Sequence, residues 1–410
     1  MGRFHNIRIS SWQLLVLDRI PFTSLSSMPY HSQEANGMQR DFLIIGGGVV
    51  GMAVAYGLLR AGQRVTVLDG SDDTLRASRG NAGLTWVQGK GAGMPAYAEL
   101  SFEASLAWPE FADELKERTG IDLEYERRGG VDLCFDQEEA EARQREYSAI
   151  QAASPSLARR FRWEYLDRGS LAAHLPGLGE GVHGGTWSPH DGHCNPLYLL
   201  RALFAASRTL GLDYRPASEV LSLTPLKNGF RADTSRGAYE AERLIVAAGL
   251  GSAALAPMVG LSGAVHPVRG QVLVTERMPK IDQLPTPQIR QTASGGYLVG
   301  DTQEAVGFDR GVTLTLMQQL AERAVRIFPF LDHARLVRAW GALRVMTPDG
   351  NPLYEASRQY PGAYGLSSHS GISLAAFHAG DLAESILQDS LGHEYAEFSG
   401  ARFTRSVLHP

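Results

Sequence analysis

The chain has 410 residues, 44% of them hydrophobic and 20% charged, a globular mixture with material for two or three domains and a sizeable core, which excludes disorder as the dominant state. A formal net charge of −5 offers no basic excess, so nucleic acid and an anionic membrane surface are not expected partners. Two cysteines, Cys134 and Cys194, make neither a disulfide scaffold nor a metal-ligand set, which fits a reducing compartment; no metal site is expected.

Residues 1–40 read as an extension outside the fold. They are rich in Ser, and the apolar run Leu14–Leu17 is cut short by Asp18, too early for a secretory signal. Met28 and Met38 are alternative starts. Phe42 to Leu59 then runs eighteen residues without a charge, near the length of a membrane helix. Gly46–Gly48 argue against one continuous helix, since each glycine weakens it by about 1 kcal/mol. The run is expected to be a strand, a tight turn and a helix, with no membrane span.

Phe42–Ile45 reads as a buried strand, Gly46-x-Gly48-x-x-Gly51 follows at once, and Met52–Arg60 reads as a helix stopped by Gly62. Arg64–Leu68 is a second buried strand with Asp69 at its end. In such a β-α-β unit Gly46 permits the turn, Gly48 lets a pyrophosphate approach the backbone, and Gly51 lets helix sit on strand. The helix N-terminus offers N–H groups to the phosphates, and Asp69 would accept from ribose hydroxyls. The unit alone fits NAD and FAD equally. The stretch Arg76–Gly83 is small, polar and glycine-rich, so its backbone can lie against a flat ring; it also reads as an ordinary surface loop.

Further along, Gly130–Phe135 and Gln271–Thr275 are strand-like, and Glu138–Ala149 is a charged helix with a solvated face. Ser370-Gly371 precedes Ile372, Leu374, Ala375, Ala379, Leu382, Ala383 and Ile386, apolar residues at helical spacing. The N-terminus of that late helix would suit a negative charge. Arg344 precedes the turn signal Thr347-Pro348-Asp349. It reads either as a structural ion-pair residue or as a clamp giving a carboxylate two parallel hydrogen bonds. Tyr297 and Trp86 read as pocket walls or as core aromatics. His193, Cys194 and His369 read first as structural, with a hydrogen bond to ring or substrate as the alternative for His369.

Six ordered motifs then resemble the D-amino-acid-oxidase-like family of FAD-dependent amine oxidoreductases, which includes glycine oxidase and sarcosine oxidase. They are Gly46–Gly51 with Asp69, Ser78-x-x-Asn81-Ala82-Gly83, Asp191-Gly-His-Cys-Asn195-Pro196, Arg243–Gly249, Pro267-Val-Arg269-Gly270-Gln271, and Trp340-Gly-Ala-Leu-Arg344-x-x-Thr347-Pro348-Asp349. Residues 80–90, 268–279 and 369–373 resemble the flavoprotein subunits of hydrogen cyanide synthase, opine oxidase and hydroxyproline dehydrogenase.

The resemblance implies an α/β Rossmann-type FAD-binding domain (41–120, 185–262 and 336–392) interleaved with a mostly antiparallel β substrate domain (121–184 and 263–335). Residues 393–410 would be a C-terminal tail. It implies cofactor contacts at Gly46, Gly48, Val49, Val50, Gly51, Asp69, Gly70, Ser78, Asn81, Ala82, Gly83, Val220, Ala248, Gly249, Arg344, Ser370, Gly371, Ile372 and Ser373. The late helix would point at the pyrimidine side of the ring. Arg344, Tyr297 and His369 would be catalytic, with Arg344 turning the Cα–H of a small carboxylate-bearing amine toward flavin N5. Glycine, D-amino acids, proline derivatives and opines all carry the needed groups. The implied reaction is oxidation of the Cα–N bond to an imine by hydride transfer. No cysteine follows Cys194, so the covalent link of sarcosine oxidases has no partner and FAD would be held non-covalently. The family's late G-H-x-x-x-G is shortened to Ser368-His369-Ser370-Gly371, which implies a differently shaped loop. Either oxygen or a partner subunit carrying an iron–sulfur cluster or a second flavin would take the electrons, in the cytoplasm or at the inner membrane through such partners. The alternatives are an electron-relay subunit without its own substrate and an NAD-dependent dehydrogenase.

Overall fold

The computed structural model describes residues 40–70, 76–300 and 302–405. The extension before Arg40 and the last five residues of the tail lie outside the described residues.

Strand β1 (Arg40–Ile45) runs parallel to β2 (Val65–Leu68) on one side and to β3 (Gly237–Val246) on the other. The sheet order is Leu353–Ala356, Ala363–Ser367, β3, β1, β2 and Asp213–Arg215. A strand covered on both faces has no polar side, which is why Phe42–Ile45 is an unbroken apolar run. Phe42 and Ile44 join one core with the helices; Leu43 and Ile45 join a second core on the opposite face.

Helix α1 (Val49–Arg60) starts directly after the glycine turn and ends as expected, with Gly62 at φ +77°. Helix α2 (Pro95–Thr119) packs on the same side. The expected late helix is instead two short helices, Ala375–Ala379 and Asp381–Leu387, after a run of turns from His369. The break falls at Gly380, where α1 comes closest: a Cβ on Gly57 would lie 2.4 Å from the Ala379 carbonyl oxygen. Arg60 Nη2 donates to that released carbonyl at 3.3 Å.

Two antiparallel sheets complete the fold. One joins Gly130–Cys134, Gly184–Ser188 and Glu164–Asp167. The other is built from β4 (His266–Thr275), β5 (Ile289–Gln291), β6 (Tyr297–Val299) and β7 (Leu336–Met346), in the order β5-β6-β4-β7. The register puts Arg290, Leu298, Val274 and Arg338 side by side, and two-residue steps carry the same face to Val272, Gly270, Trp340, Ala342 and Arg344. The opposite face supplies Leu273, Ile289, Tyr297 and Val299 to a core under the helix Leu314–Ile327.

Three boundaries differ from the sequence reading. Gly184–Ser188 is hydrogen-bonded into the three-stranded antiparallel sheet, so that region does not begin the nucleotide-binding part. Strand β7 pairs with β4 along its length, which places Leu336–Met346 in the four-stranded antiparallel sheet. Residues 393–405 are no loose tail: Phe398 is buried in the main core, and Arg402 pairs with Asp349 at 2.7 Å. Among the described residues no helix is long and apolar enough to cross a membrane.

Candidate active site

The glycine turn is defined by contacts that exclude side chains. Gly46 has φ +112°, and a Cβ there would fall 2.3 Å from the Ala247 carbonyl oxygen. A Cβ on Gly51 would fall 2.0 Å from the Gly46 oxygen. At Gly48 the space is open except for Ser78 Oγ at 3.2 Å, so there a ligand can reach the backbone. Helix α1 has no side-chain N-cap. Val49 N–H donates to Ser78 Oγ at 3.0 Å, and the rest of this N-terminal turn opens on a cavity, a ready anion site.

That cavity has a volume of about 490 Å³. Of the expected cofactor residues, Gly46, Gly48, Val49, Val50, Gly70, Ser78, Asn81, Val220, Ala248, Gly249, Gly371 and Ile372 line it, as does His369. Asp69 is buried behind the turn, where its carboxylate accepts from Gly47 N–H at 2.6 Å and from Arg76 Nη2 at 2.5 Å. Gly51 packs behind the turn as well. Ser370 and Ser373 act through the protein. Ser370 Oγ accepts from Tyr97 OH at 2.7 Å. Ser373 Oγ accepts from Trp86 N–H at 3.0 Å and donates to the Leu84 carbonyl at 3.2 Å. Both serines hold the His369–Leu374 turns in place. Trp86 is buried, its ring filling the space that a side chain on Gly130 would need.

The four-stranded sheet lies over the loop Arg76–Gly83. Trp340 Nε1 donates to the Gly80 carbonyl at 3.2 Å, and a Cβ on Gly80 would fall 2.4 Å from that of Ala342. Arg290 Nε donates to the Ala82 carbonyl at 2.6 Å. Gly83, at φ +81°, is pressed against the Cys194 carbonyl and the Arg290 guanidinium. Arg344 stands on this same face, half-buried, with Nη1 donating to the Thr302 carbonyl at 2.6 Å; like Ala82 and Gly83 it is not part of the cavity wall, to which β7 gives Leu343 and Val345 instead. Its guanidinium lies over Gly270, where a side chain would push it aside. His369 is at the cavity wall; burial, together with the charges of Lys90 and Arg344, pushes its pKa down to about 3. The imidazole is therefore neutral at physiological pH.

Tyr297 is not at the cavity. It sits on the opposite face of β6, fully buried against Phe328 and Phe330, with its hydroxyl donating to Gln283 Oε1 at 2.9 Å. Strand neighbours alternate faces, so Leu298, not Tyr297, looks toward the loop. Other motif residues are scaffold. Arg269 forks onto Glu304, with Nη2 at 2.6 Å from Oε2, while Gln271 Nε2 donates to the same carboxylate at 2.7 Å. Asp191 is fully buried and accepts from Val87 N–H at 2.5 Å and Gln88 Nε2 at 2.6 Å; burial pushes its pKa up to about 7. Asn195 caps the helix Pro196–Thr209. Burial holds the His193 pKa down to about 3 and raises the Cys194 thiol to about 12, which leaves both as neutral core groups.

Sequence reasoning missed Arg76, Arg79 and Arg310, three cations on the cavity wall, and the exposed Phe308 at its edge. Arg76 and Arg79 flank Ser78 and were legible as part of that motif; nothing local marks Arg310, which folding brings back across β7. A cavity that starts at a helix N-terminus, carries cations along its wall and runs under an antiparallel sheet suits a dinucleotide at full length. That is the architecture of the cofactor-dependent oxidoreductases.

Comparison with known proteins narrows the class. The model of the FAD dependent oxidoreductase (DAO) family matches residues 41–385, and the chain belongs to that family. It is 39% identical over 363 residues to the B subunit of opine oxidase from Agrobacterium tumefaciens (strain Ach5), covering 88% of this chain and 97% of that one. It is 30% identical over 410 residues to the HcnC subunit of hydrogen cyanide synthase from Pseudomonas aeruginosa, covering 88% and 96%. The crystal structure of glycine oxidase from Geobacillus kaustophilus superposes with a TM-score of 0.78 at 26% identity, over 85% of this chain and 95% of that one. The protein is thus an FAD-dependent oxidoreductase, and the NAD-dependent alternative is set aside.

Proposed function

We propose that the protein oxidises the C–N bond of a small amine carrying a carboxylate, with FAD held non-covalently and Arg344 as the carboxylate clamp. The observation that carries this reading is the position of Arg344, on the sheet face that covers the Arg76–Gly83 loop and with its charge felt at His369. Non-covalent binding is supported by the two cysteines, both buried and neither lining the cavity.

The bound flavin supplies the electron sink. The α1 N-terminus and the cations Arg79 and Arg310 would hold its diphosphate, while Asp69, buried and bonded to Gly47 N–H and Arg76, would brace the turn from behind. Arg344 fixes the substrate carboxylate in two parallel hydrogen bonds, so that the carbon bearing the amine is turned toward the ring. Such orientation supplies roughly 7–11 kcal/mol of a barrier. His369, being neutral, adds no positive charge near the amine and can accept or donate one hydrogen bond. The serines of the 370–373 turn keep it there. The sheet excludes water from the reacting carbon. Carboxylate-bearing secondary amines of the opine type are the preferred substrate class, because the opine oxidase relative is similar over nearly its whole length.

Two of the three relatives described above, those of opine oxidase and hydrogen cyanide synthase, carry the name of a subunit, which favours a partner chain, rather than oxygen, as the electron acceptor. Replacement Arg344→Leu should leave the flavin bound and lower kcat/KM by on the order of a hundred- to a thousandfold, the worth of a buried charge-assisted pair. Unchanged kinetics in that variant would remove Arg344 from the substrate site.

A further inference from the structure

Arg290 is 7% exposed and sits on β5, on the sheet face that covers the loop expected to contact the flavin. It pairs with no carboxylate among the described residues. Its hydrogen bonds go to two backbone carbonyls instead: Nε to Ala82 at 2.6 Å and Nη2 to Cys194 at 3.3 Å. Cys194 N–H in turn donates to the Gly83 carbonyl at 2.8 Å, so the guanidinium closes a clamp around Ala82-Gly83. Burial lowers its pKa only to about 10, and it stays charged at neutral pH. The acidic groups that act on it, Glu124 and Glu126, do so through space without contact.

A buried cation without a counter-ion costs several kcal/mol. Holding two carbonyls does not need that charge: a neutral amide could donate to one of them, and the loop has its own tie, Gly83 N–H donating to Asn81 Oδ1 at 2.7 Å. The charge calls for an anion that is present for part of the cycle. Oxidation of an amine at the C–H bond hands over two electrons and one proton, which is a net charge of minus one delivered to the cofactor in front of the loop.

We propose that Arg290 is a positioning residue that presses the Asn81–Gly83 loop onto the flavin and sets a positive charge behind it, favouring the cofactor's reduced state and its affinity for anions. This inference rests on the proposed flavin contact of that loop. Three variants separate charge from shape. Arg290→Gln removes the charge and keeps a donor. Arg290→Lys keeps the charge and loses the fork. Leu298→Glu leaves Arg290 in place and adds a carboxylate beside it, since Leu298 is its cross-strand neighbour.

Flavin content, midpoint potential and the Kd for sulfite, a small anion that adds to flavin, are measured on each purified protein. With charge as the cause, Arg290→Gln and Leu298→Glu keep their flavin, bind sulfite at least about tenfold more weakly, and shift the potential down by about 30 mV for each such tenfold in a two-electron couple. Arg290→Lys stays close to the parent. Sulfite affinity and potential that are unmoved in Arg290→Gln, or moved equally in Arg290→Lys, overturn the proposal while the parent's flavin leaves the proposed function standing. A parent protein that purifies without flavin overturns both.

Discussion

The parallel sheet and the four-stranded antiparallel sheet meet at the cavity, yet they encode their parts of it differently. At the parallel sheet the site is local in sequence. A turn of glycines, a helix start and an acid one strand later lie within thirty residues, and Gly46 and Gly51 are each required by a backbone contact of 2.0–2.3 Å that leaves no room for a Cβ. At the antiparallel sheet β7 gives Leu343 and Val345 to the cavity, while Trp340 of β7 and Arg290 of β5 hold the loop beside it, and what a residue does depends on which face it takes. Arg344 and Tyr297 stand out from motifs with the same ease. The first shares a sheet face with Trp340, which bonds the Gly80 carbonyl, and the second faces a core of phenylalanines on the other side. On β6 the step from Leu298 to Tyr297 exchanges loop-facing surface for core, whereas β7 uses both faces, with Leu343 and Val345 lining the cavity and Arg344 on the face toward the loop.

The largest effect should come from the local half of the comparison. Gly48 has an ordinary φ of −73°, and its open side faces the cavity, so Gly48→Leu should fold but fill the place of the phosphates. The purified variant should be colourless, with a circular-dichroism spectrum matching the parent's. A yellow variant with full flavin content would break the assignment of that cradle.

A smaller effect should come from buried histidine. His378 is fully buried under the late turns, with Nε2 at 2.8 Å from Tyr354 OH, and burial holds its pKa down to about 3. The unfolded chain takes up a proton near pH 6.5, whereas the folded chain does so only near pH 3. Stability is therefore lost as pH falls between those values and is fully present above them. At pH 5 the loss from this residue is about 2 kcal/mol. Urea unfolding from pH 7.5 to 5 should show that slope, to which His193 and His369 add in the same sense, and His378→Gln should remove the share of about 2 kcal/mol that belongs to His378. An unchanged slope would mean that His378 is protonated in the folded protein.

The smallest effect sharpens the contrast between the two faces of β6. Tyr297→Phe removes one hydrogen bond, to Gln283, and should lower stability by about 1 kcal/mol without altering turnover. A large fall in kcat at unchanged stability would place the hydroxyl in the active site after all.

Much of this is legible in the amino-acid sequence. The β-α-β unit, the flavin-loop motif and Arg344 stand out because turns, apolar runs and small residues follow backbone geometry that operates over a few residues. The domain boundaries do not. Leu336–Met346 carries no sign that its partner is His266–Thr275, about seventy residues upstream, and Gly184–Ser188 carries none that it pairs with Gly130–Cys134. The late helix reads as continuous because its apolar spacing is helical; the break at Gly380 lies where Gly57 of a distant helix packs against the Ala379 carbonyl, a contact that no local pattern shows. Arg290 escapes notice because nothing beside it in sequence is charged or motif-like. Its meaning lies in a carbonyl about two hundred residues away.

The central claim is that a guanidinium at position 344 steers a carboxylate so that the neighbouring amine meets the flavin. Anaerobic stopped-flow bleaching of the flavin by a matched pair tests it directly: a carboxylate-bearing secondary amine, and the same amine with the carboxylate removed. The account predicts rapid bleaching by the acid, none by its decarboxylated partner, and none by the acid with Arg344→Leu. Equal bleaching by both members of the pair, or equal rates in the parent and the Leu variant, would contradict it.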